Sequence, residues 1–398
     1  MKHPLEPISA DEINIAVDLC RSYEGFDENA LFMNISLVEP KKEFVRSYKQ
    51  GDDCPRNLKI RGIDSNEDGG FVAIIDLKAN KVDSLKRVSE KAQVTYSLAE
   101  VFMATELTKA DERYQEALKK RGITDLDMVQ IDPWPAGGVI HESIKPGHRA
   151  LKTISFLREN QTDNAYAKPI TGVISHVDLT LQQVTHIEDH GVVEMPKAHA
   201  RYDADSQPEL REQPKKIDIT QPDGPGFDIE GNLISWEGWQ VRVSVNPDEG
   251  PVLHQLSLDG RAILHRVALS DMVVPYGTAD PMHSWKAVHD GTEYGFGTLV
   301  NSLTLGCDCL GEIHYLDANM LMFDGSVNTI ESAICIHEED YGIQWKHNDM
   351  NMLGANEVRR SRRLVISSIA TIGNYDYGLF WYLYLDGTIQ CEVKLTGI

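Results

Sequence analysis

Hydrophobic positions in the first 90 residues follow a helical pattern and then a strand pattern. A capping-box pattern at residues 9–12 precedes an apolar stripe with helical spacing. Period-two alternation then predicts strands over residues 31–38, 57–63 and 70–77. Because one amphipathic helix can cover one face of an antiparallel sheet, residues 1–90 are predicted to form a small α+β domain.

The next part of the chain repeats this organisation. Helical periodicity covers residues 101–107 and 110–120, so residues 91–205 are predicted to form a second small α+β domain. Residues 206–227 are rich in Pro, Gly, Gln and charge, which predicts a surface linker. The strands predicted in the second domain cover residues 128–131, 152–157, 171–179 and 183–187.

Helical periodicity nearly vanishes after the linker. Short β-branched and aromatic runs alternate with Gly, Asn and Asp turns, and Asp386-Gly387 between the last two runs is a hairpin signal. Residues 228–398 are therefore predicted to form the N-terminal part of a large antiparallel β-sandwich that is incomplete in this chain. The predicted fold class is α+β: two small α+β domains followed by the first part of this sandwich.

Charge and hydropathy narrow the classes of partner. Lys and Arg total 39 against 61 Asp and Glu, a formal net charge of −22. This charge argues against nucleic acid binding and favours small cationic partners, although solubility alone also accounts for it. The sequence contains no apolar run of the ~18–20 residues needed to span a bilayer and no apolar stretch at its start. We therefore predict no membrane association and a cytoplasmic location.

Three segments of the β-rich part carry candidate chemistry. Tyr375 lies in Thr-Ile-Gly-Asn-Tyr-Asp-Tyr (371–377), Asp290 lies in His-Asp-Gly-Thr-Glu-Tyr-Gly, and Tyr276 lies in Val-Val-Pro-Tyr-Gly. Taken singly, each has an ordinary structural explanation. The first is typical of a strand end with a turn, Asp-Gly favours β-turns, and a lone Tyr is often a core aromatic.

Together and in this order, the three segments resemble those of the copper amine oxidases, and the resemblance extends over essentially the whole chain. It implies that Tyr375 is the precursor of the topaquinone cofactor and that Asn374 orients the quinone. It also implies that Asp290 is the catalytic base and that Tyr276 hydrogen-bonds a quinone oxygen. Val288 would occupy the substrate gate, where a larger aromatic often lies in the family. A smaller gate suggests a roomier entry.

The six cysteines show no CxxC pair. The segments at 305–313 and 333–340 resemble the disulfide-bearing strands of the family. This resemblance implies that Cys309 pairs with Cys335, while Cys307 stays a thiol.

The copper ligands are the part of the family pattern that the sequence lacks. In the family, a His-x-His pair beyond the quinone and a third, distant His bind copper. The chain has 14 histidines, and none forms a His-x-His pair. We therefore predict no metal ligand in this chain and copper(II) held by residues outside it. A companion chain would carry the His-x-His ligands and the remaining sandwich strands, in a dimer or heterotetramer. A separately encoded subunit, the other half of a cleaved chain and a truncated product stay open.

The reaction implied by the resemblance is the oxidative deamination of primary amines. Amine, O₂ and water give aldehyde, ammonia and hydrogen peroxide, and we predict activity together with the companion chain. The alternative is a catalytically silent or regulatory scaffold subunit of such an oxidase. A non-enzymatic β-rich binding protein is a further alternative. The sequence does not distinguish mono-, di- and aromatic amines as substrates.

Overall fold

Antiparallel strands make up most of the regular structure of the protein. In the described part, they form two four-stranded sheets, two five-stranded sheets and one two-stranded ribbon, and the α-helices lie in the first third of the chain. This arrangement confirms the predicted α+β class. No helix within the described residues is long and apolar enough to cross a membrane. The structure is a computed structural model that describes all residues except 1–2, 65–69, 90–91, 199–200, 352–353 and 355.

The first helix begins where the capping box predicts it. Helix α1 (Ala10–Arg21) follows Ser9, whose Oγ accepts a hydrogen bond from the Glu12 amide, while the Glu12 carboxylate accepts one from the Ser9 amide at 2.9 Å. The buried side chains of Ile13 and Val17 pack against the first sheet. The other elements of this unit are α2 (Lys42–Ser47) and, in spatial order, β1 (Leu31–Leu37), β2 (Asn57–Ile63), β3 (Gly70–Asp76) and β4 (Lys81–Arg87).

The second unit places two helices against a four-stranded sheet. Helix α3 (Leu98–Ala110) is followed by α4 (Glu112–Lys119), and the Asp111 side chain caps α4. Tyr114 of α4 is fully buried, and its hydroxyl bonds the Ser155 Oγ at 2.6 Å, which fixes the helix to the sheet. The strands, in spatial order, are β5 (Val129–Pro135), β6 (Ala150–Leu157), β7 (Val173–Asp178) and β8 (Gln183–Asp189).

Residues 207–226 contain no helix or strand, and nearly all of their side chains are exposed. This stretch lies inside the predicted linker of residues 206–227. The predicted boundaries of the domains on either side stay predictions.

The last part of the chain packs two five-stranded sheets face to face. Trp236, Trp239 and Leu253 of the first sheet meet Ile366 and Trp381 of the second in one buried cluster. The first sheet contains β9 (Phe227–Glu230), β10 (Leu233–Trp236), β11 (Trp239–Asn246), β12 (Gly250–Leu258) and β13 (Arg261–Val267); the ribbon is β14 (Val273–Pro275) and β15 (Ala287–His289); the second sheet contains β16 (His314–Leu321), β17 (Val327–Asn348), β18 (Asn356–Ile372), β19 (Tyr375–Tyr384) and β20 (Ile389–Gly397).

A buried carboxylate joins these two sheets. The Trp236 indole donates to Glu338 Oε1 at 2.8 Å, and the Gln221 side chain and the Gly226 amide donate to Oε2 at 2.6 and 2.5 Å. Burial opposes ionisation of Glu338, but these donors hold the pKa of its carboxyl below the usual value. The carboxylate therefore fixes the end of the linker and strand β10 to strand β17.

Ile13 and Ile15 on helix α1 give a matched test of the first core. Ile13 is fully buried, whereas Ile15 is 42% exposed. Ile13→Ala is expected to lower the free energy of unfolding by about 2–5 kcal/mol, because it leaves a cavity in a packed core. Ile15→Ala is expected to stay within about 0.5 kcal/mol of the parent protein. Urea unfolding of both variants measures the difference, and equal losses would contradict the packing described here.

Candidate active site

Tyr375 stands at the first position of strand β19, directly after a tight hairpin. Ile372 pairs with Tyr375, so Gly373 and Asn374 alone connect β18 to β19. Gly373 adopts a φ of +61°, which a two-residue hairpin commonly requires and which glycine adopts without steric cost. The hairpin therefore places the Tyr375 ring at one end of the second sheet.

The Tyr276 hydroxyl lies 2.5 Å from the Tyr375 hydroxyl. Tyr276 follows strand β14, and its amide donates to the Lys286 carbonyl at 3.0 Å, which continues the pairing of the β14–β15 ribbon. The Tyr276 ring also meets the Trp134 ring edge to face at 5.7 Å and stacks on His283 at 5.6 Å. Burial and the adjacent Tyr375 raise the pKa of the Tyr276 hydroxyl above its usual value.

Asp290 lies at the end of strand β15 and is 4% exposed. The Tyr377 hydroxyl donates to its Oδ2 at 2.7 Å. Burial raises the pKa of the Asp290 carboxyl, and the Tyr377 hydrogen bond offsets part of that rise. Because alternate residues of a strand share a face, Tyr375 and Tyr377 contact the ribbon together, with ring centroids 6.4 Å apart.

Two cavities adjoin the Tyr375 ring. The smaller has a volume of about 290 Å³, and its lining includes Tyr276, Val288, Asp290 and Asn374. The larger has a volume of about 580 Å³, and it shares Tyr276, Asn374 and Tyr375 with the first. The structure thus brings the predicted precursor, base and hydrogen-bonding tyrosine to one place, with Val288 beside them.

Asn374 lies next to Tyr375 in the hairpin, but its side chain points to a different partner. Its Nδ2 donates to the Ile398 carbonyl at 2.7 Å, which joins the hairpin to the end of strand β20. The role predicted for Asn374 in quinone orientation stays a prediction.

The predicted Cys309–Cys335 disulfide is not formed in the structure. Both residues are buried thiols, and the Cys309 and Cys335 sulfur atoms lie within 4.8 Å of each other. Cys335 Sγ also lies 3.3 Å from His337 Nδ1. Cys307, by contrast, is exposed. The two thiols predicted to pair are therefore neighbours, and the pairing itself stays a prediction.

The donors needed for a copper site are not assembled beside Tyr375 by the residues that the structure describes. His283 is the one described histidine that lines either cavity, and it is stacked on Tyr276. One described group of three potential ligands has its donor atoms within 4.8 Å of one another; it contains Cys309, Cys335 and His337. None of these three lines the cavities at Tyr375. The described residues therefore do not fit the family's copper ion.

Sequence reasoning missed three residues of this site. Tyr377 could have been found, because it lies two positions after Tyr375 on the same strand face. Asp132 lies on strand β5 and Lys286 lies directly before strand β15, and both line the larger cavity. Because the two residues are far apart in the sequence, no local pattern joins them. The fold brings them to Tyr375.

The cysteine cluster gives a testable prediction. After air oxidation, non-reducing peptide mapping is expected to show a bond between Cys309 and Cys335, because their thiols are neighbours. Cys307 is expected to react with iodoacetamide in the folded protein, because its thiol is exposed. A Cys307–Cys335 bond, or ready alkylation of Cys309 in the folded, oxidised protein, would contradict this assignment.

Three models of one protein family match consecutive parts of the chain. The copper amine oxidase N2 domain matches residues 3–88, the N3 domain matches residues 99–207, and the copper amine oxidase enzyme domain matches residues 228–398. The N2 and N3 matches each contain one of the four-stranded sheets, and the enzyme domain match covers the ribbon and, apart from the first residue of β9, the two five-stranded sheets. The enzyme domain match contains Tyr276, Asp290 and Tyr375.

Individual relatives agree with the family models. The primary amine oxidase of Arthrobacter sp. (strain P1) is 40% identical over 402 residues, which cover 100% of this chain and 61% of the relative. The histamine oxidase of Arthrobacter globiformis is 40% identical over 406 residues, which cover 100% of this chain and 58% of the relative. A crystal structure of a copper-containing benzylamine oxidase from Hansenula polymorpha matches with a TM-score of 0.90 at 25% identity, covering 100% of this chain and 64% of that chain. The chain spans about three fifths of the length of these relatives, and it belongs to the copper amine oxidase family.

Proposed function

We propose that this chain provides the quinone precursor and the catalytic base of an oxidase that converts primary amines to aldehydes. The observation that carries the proposal is that Tyr375, Tyr276 and Asp290 line one cavity of about 290 Å³. An amine held there would lie against both the ring of Tyr375 and the carboxylate of Asp290. The overall reaction removes two electrons from the amine and transfers them to O₂, which becomes hydrogen peroxide, and water then releases ammonia and supplies the oxygen of the aldehyde.

Tyr375 is the residue proposed to become topaquinone. When formed, this quinone supplies the electron-accepting chemistry that ordinary side chains lack. The Tyr276 hydroxyl, 2.5 Å from that of Tyr375, would fix one oxygen of the ring. The Gly373-Asn374 hairpin would hold the backbone of Tyr375, with the Asn374 amide bonded to Ile398. Positioning of this kind is what the protein adds to a cofactor that carries the redox step.

Asp290 is the proposed base. A carboxyl that removes a proton from carbon works best when its pKa lies nearer the working pH than that of an exposed aspartate. Burial supplies this shift at Asp290, and the hydrogen bond from Tyr377 holds Oδ2 in place. Val288 is buried beside Asp290 and would form the gate of the cavity. Its small side chain would leave more room than an aromatic residue.

We propose that copper is held by residues outside these 398, because the described residues place no set of histidines at Tyr375. A companion chain with a His-x-His pair is the source that we predict from the sequence. Intact mass spectrometry of the purified, copper-loaded protein tests this source. Two different chains would support a companion, whereas one longer polypeptide containing both Tyr375 and the histidines would contradict it.

Exposed apolar residues support the proposed assembly into a dimer or heterotetramer. Strands β17 and β18 continue pairing with each other from Asp340–Arg362 to Asn348–Asn356. In this part of the β17–β18 hairpin, Tyr341, Ile343 and Trp345 are each at least 50% exposed. A run of exposed apolar side chains on a paired hairpin is typical of a surface that another chain covers.

The predicted cytoplasmic location is retained as part of the proposal.

The first test replaces the quinone precursor. Tyr375→Phe is expected to abolish amine-dependent hydrogen peroxide release and the coloured adduct with phenylhydrazine, because phenylalanine lacks the hydroxyl from which the quinone develops. Tyr202→Phe is the matched control, since Tyr202 is 71% exposed and lines neither cavity. A parent protein that forms no adduct would instead support the catalytically silent scaffold subunit.

The second test concerns the base. Asp290 is active as a carboxylate, so activity is lost as pH falls through its pKa. Tyr377→Phe removes a donor that stabilises the carboxylate, so the pKa rises and the acidic limb of kcat/KM is expected to move to higher pH. Loss of this hydrogen bond is also expected to lower kcat/KM by about tenfold.

Tyr384→Phe is the control for this pH profile. Tyr384 lies on the same strand, but its hydroxyl bonds Gln390 at 2.6 Å and Arg363 at 3.0 Å. The Tyr384→Phe profile should match that of the parent. An unchanged acidic limb in Tyr377→Phe would argue against Asp290 as the group that titrates.

A further inference from the structure

A buried lysine lies beside the tyrosine that contacts Tyr375. Lys286 is 3% exposed, and its Nζ lies 3.9 Å from the ring centroid of Trp134 and 4.9 Å from that of Tyr276. Cation–π attraction to these two rings stabilises the ammonium group in this position. The Lys286 carbonyl also accepts the hydrogen bond from the Tyr276 amide, so the two residues are tied through the backbone as well.

The charge of Lys286 is not cancelled by an adjacent carboxylate. Within the residues that the structure describes, Lys286 forms no ion pair, and Asp132 is the acidic residue that attracts its ammonium group from farther away. The Asp132 carboxylate also accepts a hydrogen bond from another residue, because Gln130 donates to its Oδ1 at 3.0 Å. Burial lowers the pKa of Lys286 to about 8, so the ammonium form still predominates at pH 7.

Lys286 belongs to the wall of the space next to Tyr375. Lys286, Tyr276 and Tyr375 all line the cavity of about 580 Å³. Trp134 and Asp132 line both this cavity and the smaller one that contains Asp290. A substrate whose amine reaches Tyr375 and Asp290 would therefore extend its other end among aromatic rings and toward a fixed positive charge.

We propose that Lys286 is a specificity-determining residue that restricts the oxidase to amines with an uncharged tail and disfavours diamines. The proposal rests on the proposed function, because it assigns a substrate class to the same site. Two like charges in a site of low dielectric repel strongly, whereas the Trp134 and Tyr276 rings favour an apolar or aromatic tail. This repulsion concerns the tail of the substrate. The amine group that reacts faces the carboxylate of Asp290 instead.

The test compares two amines of equal length, n-butylamine and 1,4-diaminobutane. With the copper-loaded enzyme, including any companion chain that copurifies with it, kcat/KM for n-butylamine is expected to exceed that for the diamine by at least about tenfold. Lys286→Met keeps an unbranched apolar chain without the charge. In this variant the ratio of kcat/KM for n-butylamine to kcat/KM for the diamine is expected to fall at least about fivefold. Lys286→Arg keeps the charge and should keep the ratio of the parent.

Lys152→Met is the matched control. Lys152 is also 3% exposed, with its Nζ 4.7 Å from the Trp285 ring centroid, but it lines neither cavity at Tyr375. This variant should leave the ratio unchanged, so a change specific to Lys286→Met reports the charge in the cavity and not the loss of any buried lysine. An equal change in both variants would contradict the proposal.

A second measurement separates this proposal from the proposed function. Calorimetric titration of the two amines into the Tyr375→Phe protein measures the same discrimination without a quinone. If the parent oxidises no amine but binding still favours n-butylamine and depends on Lys286, the proposed function fails and the role of Lys286 stands. A parent that binds or oxidises the diamine as well as n-butylamine, or a ratio unaltered in Lys286→Met, would overturn the role of Lys286.

Discussion

The hydrogen bond between Tyr276 and Tyr375 is the contact on which the site depends. It joins the β14–β15 ribbon to the hairpin end of the second sheet, two units that share no strand pairing among the described residues. The ribbon carries Asp290 at its end and Lys286 just before its second strand, so this contact fixes the proposed base and the lysine relative to Tyr375. The bond from Tyr377 to Asp290 makes a second connection between the same two units.

Global and local charge have different roles around this site. The chain carries a net charge of −22, which attracts cations such as protonated amines to its surface. Within the site, the buried carboxylate of Asp290 lines the smaller cavity and the buried Lys286 lines the larger one, and Tyr276 lines both cavities. The negative surface can therefore attract a cationic amine while the positive charge inside the cavity repels a cationic tail. The charge inside the cavity acts strongly because buried charges are screened less by water and salt than surface charges.

The sequence predicted the elements whose pattern is local. The capping box predicted the start of α1. The ordered segments around Tyr276, Asp290 and Tyr375, through their resemblance to the copper amine oxidases, predicted three residues that the structure brings together. Strand β4 was missed because it is an edge strand with a mostly charged and exposed sequence. Strand β5 extends through two prolines beyond its predicted end, which an edge position tolerates. Lys286 escaped prediction because Trp134, the ring nearest its ammonium group, comes from a distant segment.

The central claim is that Tyr375 is the precursor of the quinone. Peptide mapping of the copper-loaded, phenylhydrazine-treated protein tests it most directly. We expect the adduct and the added oxygen mass on the peptide that contains Tyr375, with Tyr377 in the same peptide unmodified. An adduct on another peptide, or an active oxidase whose Tyr375 keeps the mass of an ordinary tyrosine, would contradict the account.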